Sequence, residues 1–127
     1  MDEPRRKRIL VVEDEPLVAM LLEDMLIELG FEVVGPALRL DAATELAGRE
    51  PLDGAILDVN LGEARSDAVA AALAERGIPF AFATGYAAPG GAWGERVPVL
   101  RKPFRQDAVG AVVETLLAAA SASGTKC

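Results

Sequence analysis

A chain of 127 residues, 51% of them hydrophobic, can bury one sizeable core but not two, so one domain is expected, compact over about 8–119 and flexible at 1–7 and 120–127. A formal charge of -7 and the lack of a long basic face disfavour nucleic acid as the main partner, because phosphate backbones are bound by clustered Lys and Arg. No run reaches the ~20 apolar residues of a membrane span, Asp2 and Glu3 do not suit a signal peptide, and the lone Cys127 excludes an internal disulfide, so a cytoplasmic location is expected.

The run Arg5-Arg6-Lys7-Arg8 abuts the first apolar segment and reads as the solvated start of a strand rather than a nucleic-acid patch. "ILVVEDE", Ile9 to Glu15, is a buried strand ending in three acids. Pro16 suits a first helical turn, apolar residues recur at Val18, Leu21, Leu22, Met25 and Leu29, and Gly30 supplies the stop. "FEVVGPA" is a second strand, followed by a short helix from Asp41 to Gly48. "GAILDVN", Gly54 to Asn60, repeats the pattern of an apolar strand ending in a carboxylate. Asp67 to Arg76 is an Ala-rich helix closed by Gly77, and "IPFAFAT" is the fourth strand. "AAPGGAWGERV" then carries one Pro and three Gly; each Gly costs about 1 kcal/mol and Pro about 3 in a helix, so the helix expected there is short or disordered. "VPVL" is a fifth strand, and a last helix runs from about Arg105 to Ala119 with Val109, Val112, Val113, Leu116 and Leu117 buried.

Five strands alternating with helices imply an α/β fold with a parallel sheet covered on both faces. Ligand chemistry in such a sheet gathers at the carboxyl ends of the strands. That edge receives Glu13 and Asp14 from the first strand, Asp58 from the third, Thr84 from the fourth and Lys102 after the fifth. Grouped carboxylates raise one another's pKa unless a cation neutralises them. With no histidine in the chain and no cysteine nearby, the oxygen-only donor set points to a hard ion, Mg²⁺ or a similar divalent cation such as Mn²⁺. A carboxylate beside such an ion, with a lysine and a hydroxyl at hand, suits formation of an aspartyl phosphate, and Asp58, flanked by Leu57 and Val59, is the expected nucleophile.

"ILVVEDE", "GAILDVNL", "FAFATGY" and "VLRKPF" resemble, in order and over essentially the whole chain, the signatures of the response-regulator receiver domain. The resemblance implies a flavodoxin-like doubly wound sheet of order 2-1-3-4-5. It also implies that Asp58 accepts a phosphoryl group from a sensor histidine kinase or a histidine phosphotransfer protein. By the same resemblance Asp14 is a direct metal ligand, Glu13 acts through water, and the backbone carbonyl of Asn60 completes the protein's share. Thr84 donates its hydroxyl to the phosphoryl group, Lys102 pairs with another of its oxygens, and Pro103 follows lysine through a cis peptide.

Two features depart from the common receiver. The aromatic switch position three before the lysine falls on Val99, and the fourth-helix segment is rich in Gly and Pro. "FATGY" resembles single-domain receivers with a Phe-Ala-Thr-Gly-Tyr motif, of the FATGUY type, which makes Tyr86 the expected switch and Thr84 to Arg96 the expected output surface for an unidentified protein. Gly85 is read as letting the backbone turn toward a bound phosphoryl group. Trp93 is either a binding anchor or folded over the sheet edge. Leu17, Val18 and Leu21 lie where such a fold docks its kinase, although as helix residues they also suit a core. The degraded fourth helix favours a monomer. The competing readings are an adaptor that works without phosphorylation and a small Mg²⁺-dependent phosphatase of the haloacid-dehalogenase kind. The phosphatase is disfavoured because its nucleophile belongs on the first strand in an Asp-x-Asp pattern, so no turnover beyond self-phosphorylation and slow dephosphorylation is expected.

Overall fold

The apolar runs form strands because their residues pack in both directions from the sheet, and helices are needed on each side to complete the burial. The computed structural model describes residues 6–61, 64–85 and 97–124, with side chains at 6–59, 66–85 and 97–119. In chain order the elements are β1 (Arg8–Val12), α1 (Pro16–Glu28), β2 (Glu32–Ala37), α2 (Leu40–Arg49), β3 (Gly54–Asp58), β4 (Asn60–Leu61), β5 (Ala64–Arg65), α3 (Asp67–Glu75), β6 (Phe80–Thr84), β7 (Val99–Arg101) and α4 (Gln106–Gly124). The main sheet is parallel throughout, in the order β2-β1-β3-β6-β7. With the strands of that sheet counted alone, this is the expected 2-1-3-4-5.

Successive strand residues feed opposite layers. Leu10, Val12, Leu57, Phe80 and Phe82 pack with Ala43 and Ala47 of α2 and with Val69, Ala70 and Leu73 of α3. Ile9, Val11, Ile56, Ala83 and Leu100 pack on the other side with Leu22 and Leu26 of α1 and with Val109 and Val113 of α4. β3 and β6 are buried along their whole length, so the chemistry at their carboxyl ends stands on the stiffest part of the molecule.

The glycine stops behave as the sequence suggests. Gly30 and Gly77 take positive φ values of 97° and 74°. Each closes a Schellman turn, Phe31 N–H to Leu26 O and Gly30 N–H to Ile27 O after α1, and Ile78 N–H to Leu73 O and Gly77 N–H to Ala74 O after α3. Arg8 opens β1, and its side chain is consumed internally. It pairs with Glu32 at 2.6 Å and Glu50 at 2.9 Å, and its Nε donates to the Pro51 carbonyl at 2.7 Å. Of the basic run, Arg6 and Lys7 are exposed and Arg5 lies outside the described residues.

Other boundaries differ from the sequence reading. The first and third strands end at Val12 and Asp58, two or three residues short of Glu15 and Asn60. Asn60 belongs instead to a two-stranded antiparallel hairpin, β4 with β5, that periodicity did not reveal. The last helix continues from the expected Ala119 to Gly124, since each small residue added to a formed helix gains a backbone hydrogen bond. The fourth-helix segment, with Tyr86, Trp93 and Arg96, lies outside the described residues. Among the described residues no helix is long and apolar enough to cross a membrane.

Candidate functional site

β1, β3, β6 and β7 all end at one edge, and the ladder registers decide which side chains meet there. Val12 stands opposite Leu57, Asp58 opposite Ala83, and Thr84 opposite Arg101. Glu13, Asp58, Thr84 and Lys102 therefore arrive at the same level.

A bulge helps to place Glu13. The β1–β2 register shifts between Leu10 and Val12, and Gly35 sits in the shifted stretch with φ of 94°. A Cβ there would lie 2.7 Å from Ala37 N and 3.1 Å from Val11 O, so only glycine fits. Beyond the bulge, Ala37 O accepts the Glu13 N–H at 3.0 Å, which ties the first acid to the sheet although β1 has ended. The sequence reading had missed Gly35, whose signal was a glycine inside a strand pattern.

Glu13 is 1% exposed and Asp58 8%, unusually low values for carboxylates. Carboxylate oxygens of Glu13, Asp14 and Asp58 all lie within 4.8 Å of one another. Lys102 Nζ stands 2.8 Å from Glu13 Oε1 and 3.4 Å from Asp58 Oδ2. Oε1, buried from water, thus has the Lys102 ammonium as its ion-pair partner. Glu13 Oε2 accepts the Glu15 N–H at 3.2 Å. Burial by itself pushes the Lys102 ammonium down, but the attraction of Glu13 and Asp58 outweighs it and holds the lysine above its ordinary value. Lys102 is fixed by its backbone as well, its N–H donating to Thr84 O at 3.0 Å.

Among the described residues, three carboxylates stand with one ammonium in a partly dry setting. The donors are all oxygens, so the set fits a hard divalent cation. Asp14, Asp58, Thr84 and Lys102 line a cleft of 630 Å³ whose apolar wall includes Val18 and Leu21 of α1. Beside it Leu17 is 81% exposed, and Met20 and Leu21 continue the apolar row.

The structure thus gathers Glu13, Asp14, Asp58, Thr84 and Lys102. The backbone of Asn60 follows Asp58 by two residues, held opposite Arg65 in the hairpin. The Lys102–Pro103 peptide is cis. Val99 is half-buried in β7, paired with Phe82. The φ of Gly85 is not in the left-handed region, and among the described residues the nearest atom to an added Cβ is Lys102 Cβ at 4.0 Å. Tyr86 lies outside the described residues. Ser66, buried at the start of α3, is a further polar residue near Asp58 that the sequence reading passed over.

No family model matches the chain. Among curated proteins it is 36% identical over 114 residues to the phyllosphere-induced regulator PhyR of Methylorubrum extorquens, an alignment covering 86% of this chain and 43% of that protein. The chain thus spans less than half the length of this relative. Among solved structures, SdrG from Sphingomonas melonis Fr1 superposes with a TM-score of 0.78 at 45% identity, covering 88% of this chain and 97% of SdrG. The BeF3-activated conformation of SdrG from Pseudomonas melonis Fr1 gives 0.74 at 46% identity, covering 87% and 95%. The response regulator PhyR from Brucella abortus gives 0.81 at 33% identity, covering 94% of this chain and 51% of that one.

Proposed function

Because the chain belongs to the response-regulator receiver family, we propose that it is a phosphoacceptor module of a two-component phosphorelay, with Asp58 as the phosphorylated residue. The observation that carries this reading is the placement of Asp58: a nearly buried carboxylate at the end of the central strand, 3.4 Å from Lys102 Nζ and lining one cleft with Thr84. An oxygen of Asp58 attacks the phosphorus of a phosphohistidine on a kinase or phosphotransfer protein. The P–N bond breaks as the P–O bond forms, and the imidazole leaves with a proton from solvent. Histidine must come from the partner, since this chain has none.

Lys102 supplies positive charge to one phosphoryl oxygen, and the Thr84 hydroxyl donates to another. Glu13, Asp14, Asp58 and the Asn60 carbonyl would hold Mg²⁺, which when bound offsets the surplus negative charge as a dianion arrives. The exposed Leu17, Met20 and Leu21 beside the cleft form an apolar contact for the donor domain. Output passes through protein contacts of the Thr84 to Arg96 segment, and the chain turns over no external substrate. SdrG, solved in a BeF3-activated conformation, supports the reading because trifluoroberyllate stands in for a phosphoryl group on a carboxylate.

Intact-protein mass spectrometry after incubation with acetyl phosphate and Mg²⁺ tests it. Wild type gains one phosphoryl mass and Asp58→Asn gains none. A folded wild type that gains no mass from acetyl phosphate or from a panel of kinases would favour the phosphorylation-independent adaptor.

A further inference from the structure

Ser66 occupies the N-cap position of α3, where a serine ordinarily turns its hydroxyl onto the first free amides of the helix. Ser66 makes no such bond. Its side chain is 1% exposed and reaches away from the helix, the hydroxyl donating to the Val59 carbonyl at 3.3 Å. The same oxygen accepts the Ser66 N–H at 3.1 Å. On its other side Val59 donates its N–H to Ala83 O at 3.1 Å, next to Thr84. The residue that follows the phosphoacceptor is thus clamped at both its polar groups, once by the sheet and twice by Ser66. The hairpin makes this possible: Asn60 pairs with Arg65, so the chain doubles back and delivers Ser66 to Val59 seven residues after it left.

A peptide unit is planar, so holding the Val59 carbonyl fixes the plane shared with the Asn60 N–H. The direction of the Asn60 carbonyl then depends only on the dihedral angles of Asn60 itself, which the hairpin restrains. A buried hydroxyl that forgoes capping its own helix is poorly explained as helix chemistry. It is well placed as the support of a backbone ligand, in the way partners behind a metal's ligands orient them.

Building on the phosphoacceptor reading, we infer that Ser66 is a positioning residue. Its hydroxyl holds the Val59–Asn60 peptide so that the Asn60 carbonyl and the Asp58 carboxylate address one divalent cation. It acts through the backbone, without touching the ion or the phosphoryl group.

The test is a Mg²⁺ titration followed by amide NMR shifts for wild type, Ser66→Ala and Asp58→Asn, with melting temperatures measured beside it. Ser66→Ala should weaken Mg²⁺ binding about tenfold. It should also shift the Asn60 amide before any metal is added, since that amide shares the peptide with the Val59 carbonyl. A serine that only stabilises the fold would lower the melting temperature and leave the affinity alone, so Ser66→Ala binding Mg²⁺ within about twofold of wild type overturns the inference. Should Ser66→Ala fail to fold, Ser66→Cys keeps a buried but weaker donor and decides in the same way, by a several-fold loss or none. A folded wild type that binds no Mg²⁺ sinks the phosphoacceptor reading and this inference with it. Binding by wild type and Ser66→Ala alike sinks only the inference.

Discussion

The two ends of the central strands each carry a charge cluster, and the two differ in character. At the amino end Arg8 faces Glu32, Glu50 and Asp53, the last accepting its backbone N–H at 2.8 Å. At the carboxyl end Lys102 stands among Glu13, Asp14 and Asp58. Each gathers three carboxylates around a partly buried cation, with Arg6, Lys7 and Arg76 lining the cleft at the amino end as well, so grouped charge alone does not tell scaffold from site. Exposure and geometry do. Glu32 and Glu50 are 49% and 31% exposed, water screens their surplus charge, and the Arg8 fork meets each at hydrogen-bond distance. Glu13 and Asp58 are almost dry and share the one Lys102 ammonium, at 2.8 and 3.4 Å. The first cluster is held by its arginine; the second has the donor set to take a further cation.

Metal should therefore separate the two ends most sharply. Mg²⁺ at about a hundredfold above its dissociation constant should stabilise the protein by about 2.7 kcal/mol through linkage, seen as a rise in melting temperature. Asp58→Asn should lose most of that gain, whereas Arg8→Gln should keep it; a gain lost equally in both would break the distinction. Next in size, Arg8→Gln should itself destabilise by about 2 kcal/mol in denaturant titrations, because charge-assisted bonds joining the starts of β1, β2 and the loop before β3 are lost. The smallest effect is the most diagnostic. In chelator, changing one carboxylate to its amide should have opposite signs at the two ends: Asp58→Asn stabilises by about 1 kcal/mol by relieving buried repulsion, and Glu50→Gln destabilises by about 0.5–1 kcal/mol. Equal signs would mean that burial is not what distinguishes the clusters.

How much of this was legible in the sequence depended on whether the signal was local. The strand runs, the stops at Gly30 and Gly77 and the acids after Val12 and Leu57 follow from periodicity and turn chemistry, which act within a few residues. The set of Glu13, Asp14, Asp58, Thr84 and Lys102 was legible because parallel strands place their ends on one edge. Gly35 and Ser66 were not. A glycine in a strand pattern and a serine before a helix each have an ordinary local reading, and here the neighbouring chain overrode it. The Val11 carbonyl of β1 would stand 3.1 Å from a Cβ at position 35, and the Val59 carbonyl drew the Ser66 hydroxyl from the cap.

By itself, the sequence determined the layers and which side chains share an edge, because these depend on periodicity and connectivity, while the strand order followed from the family resemblance. Only the tertiary structure decided that Glu13 is buried while Glu32 is wet, that a hairpin returns Ser66 to Val59, and that one charge cluster is screened by water and the other is not. Those outcomes depend on how far each polar group is removed from water and on which distant groups remain to satisfy it.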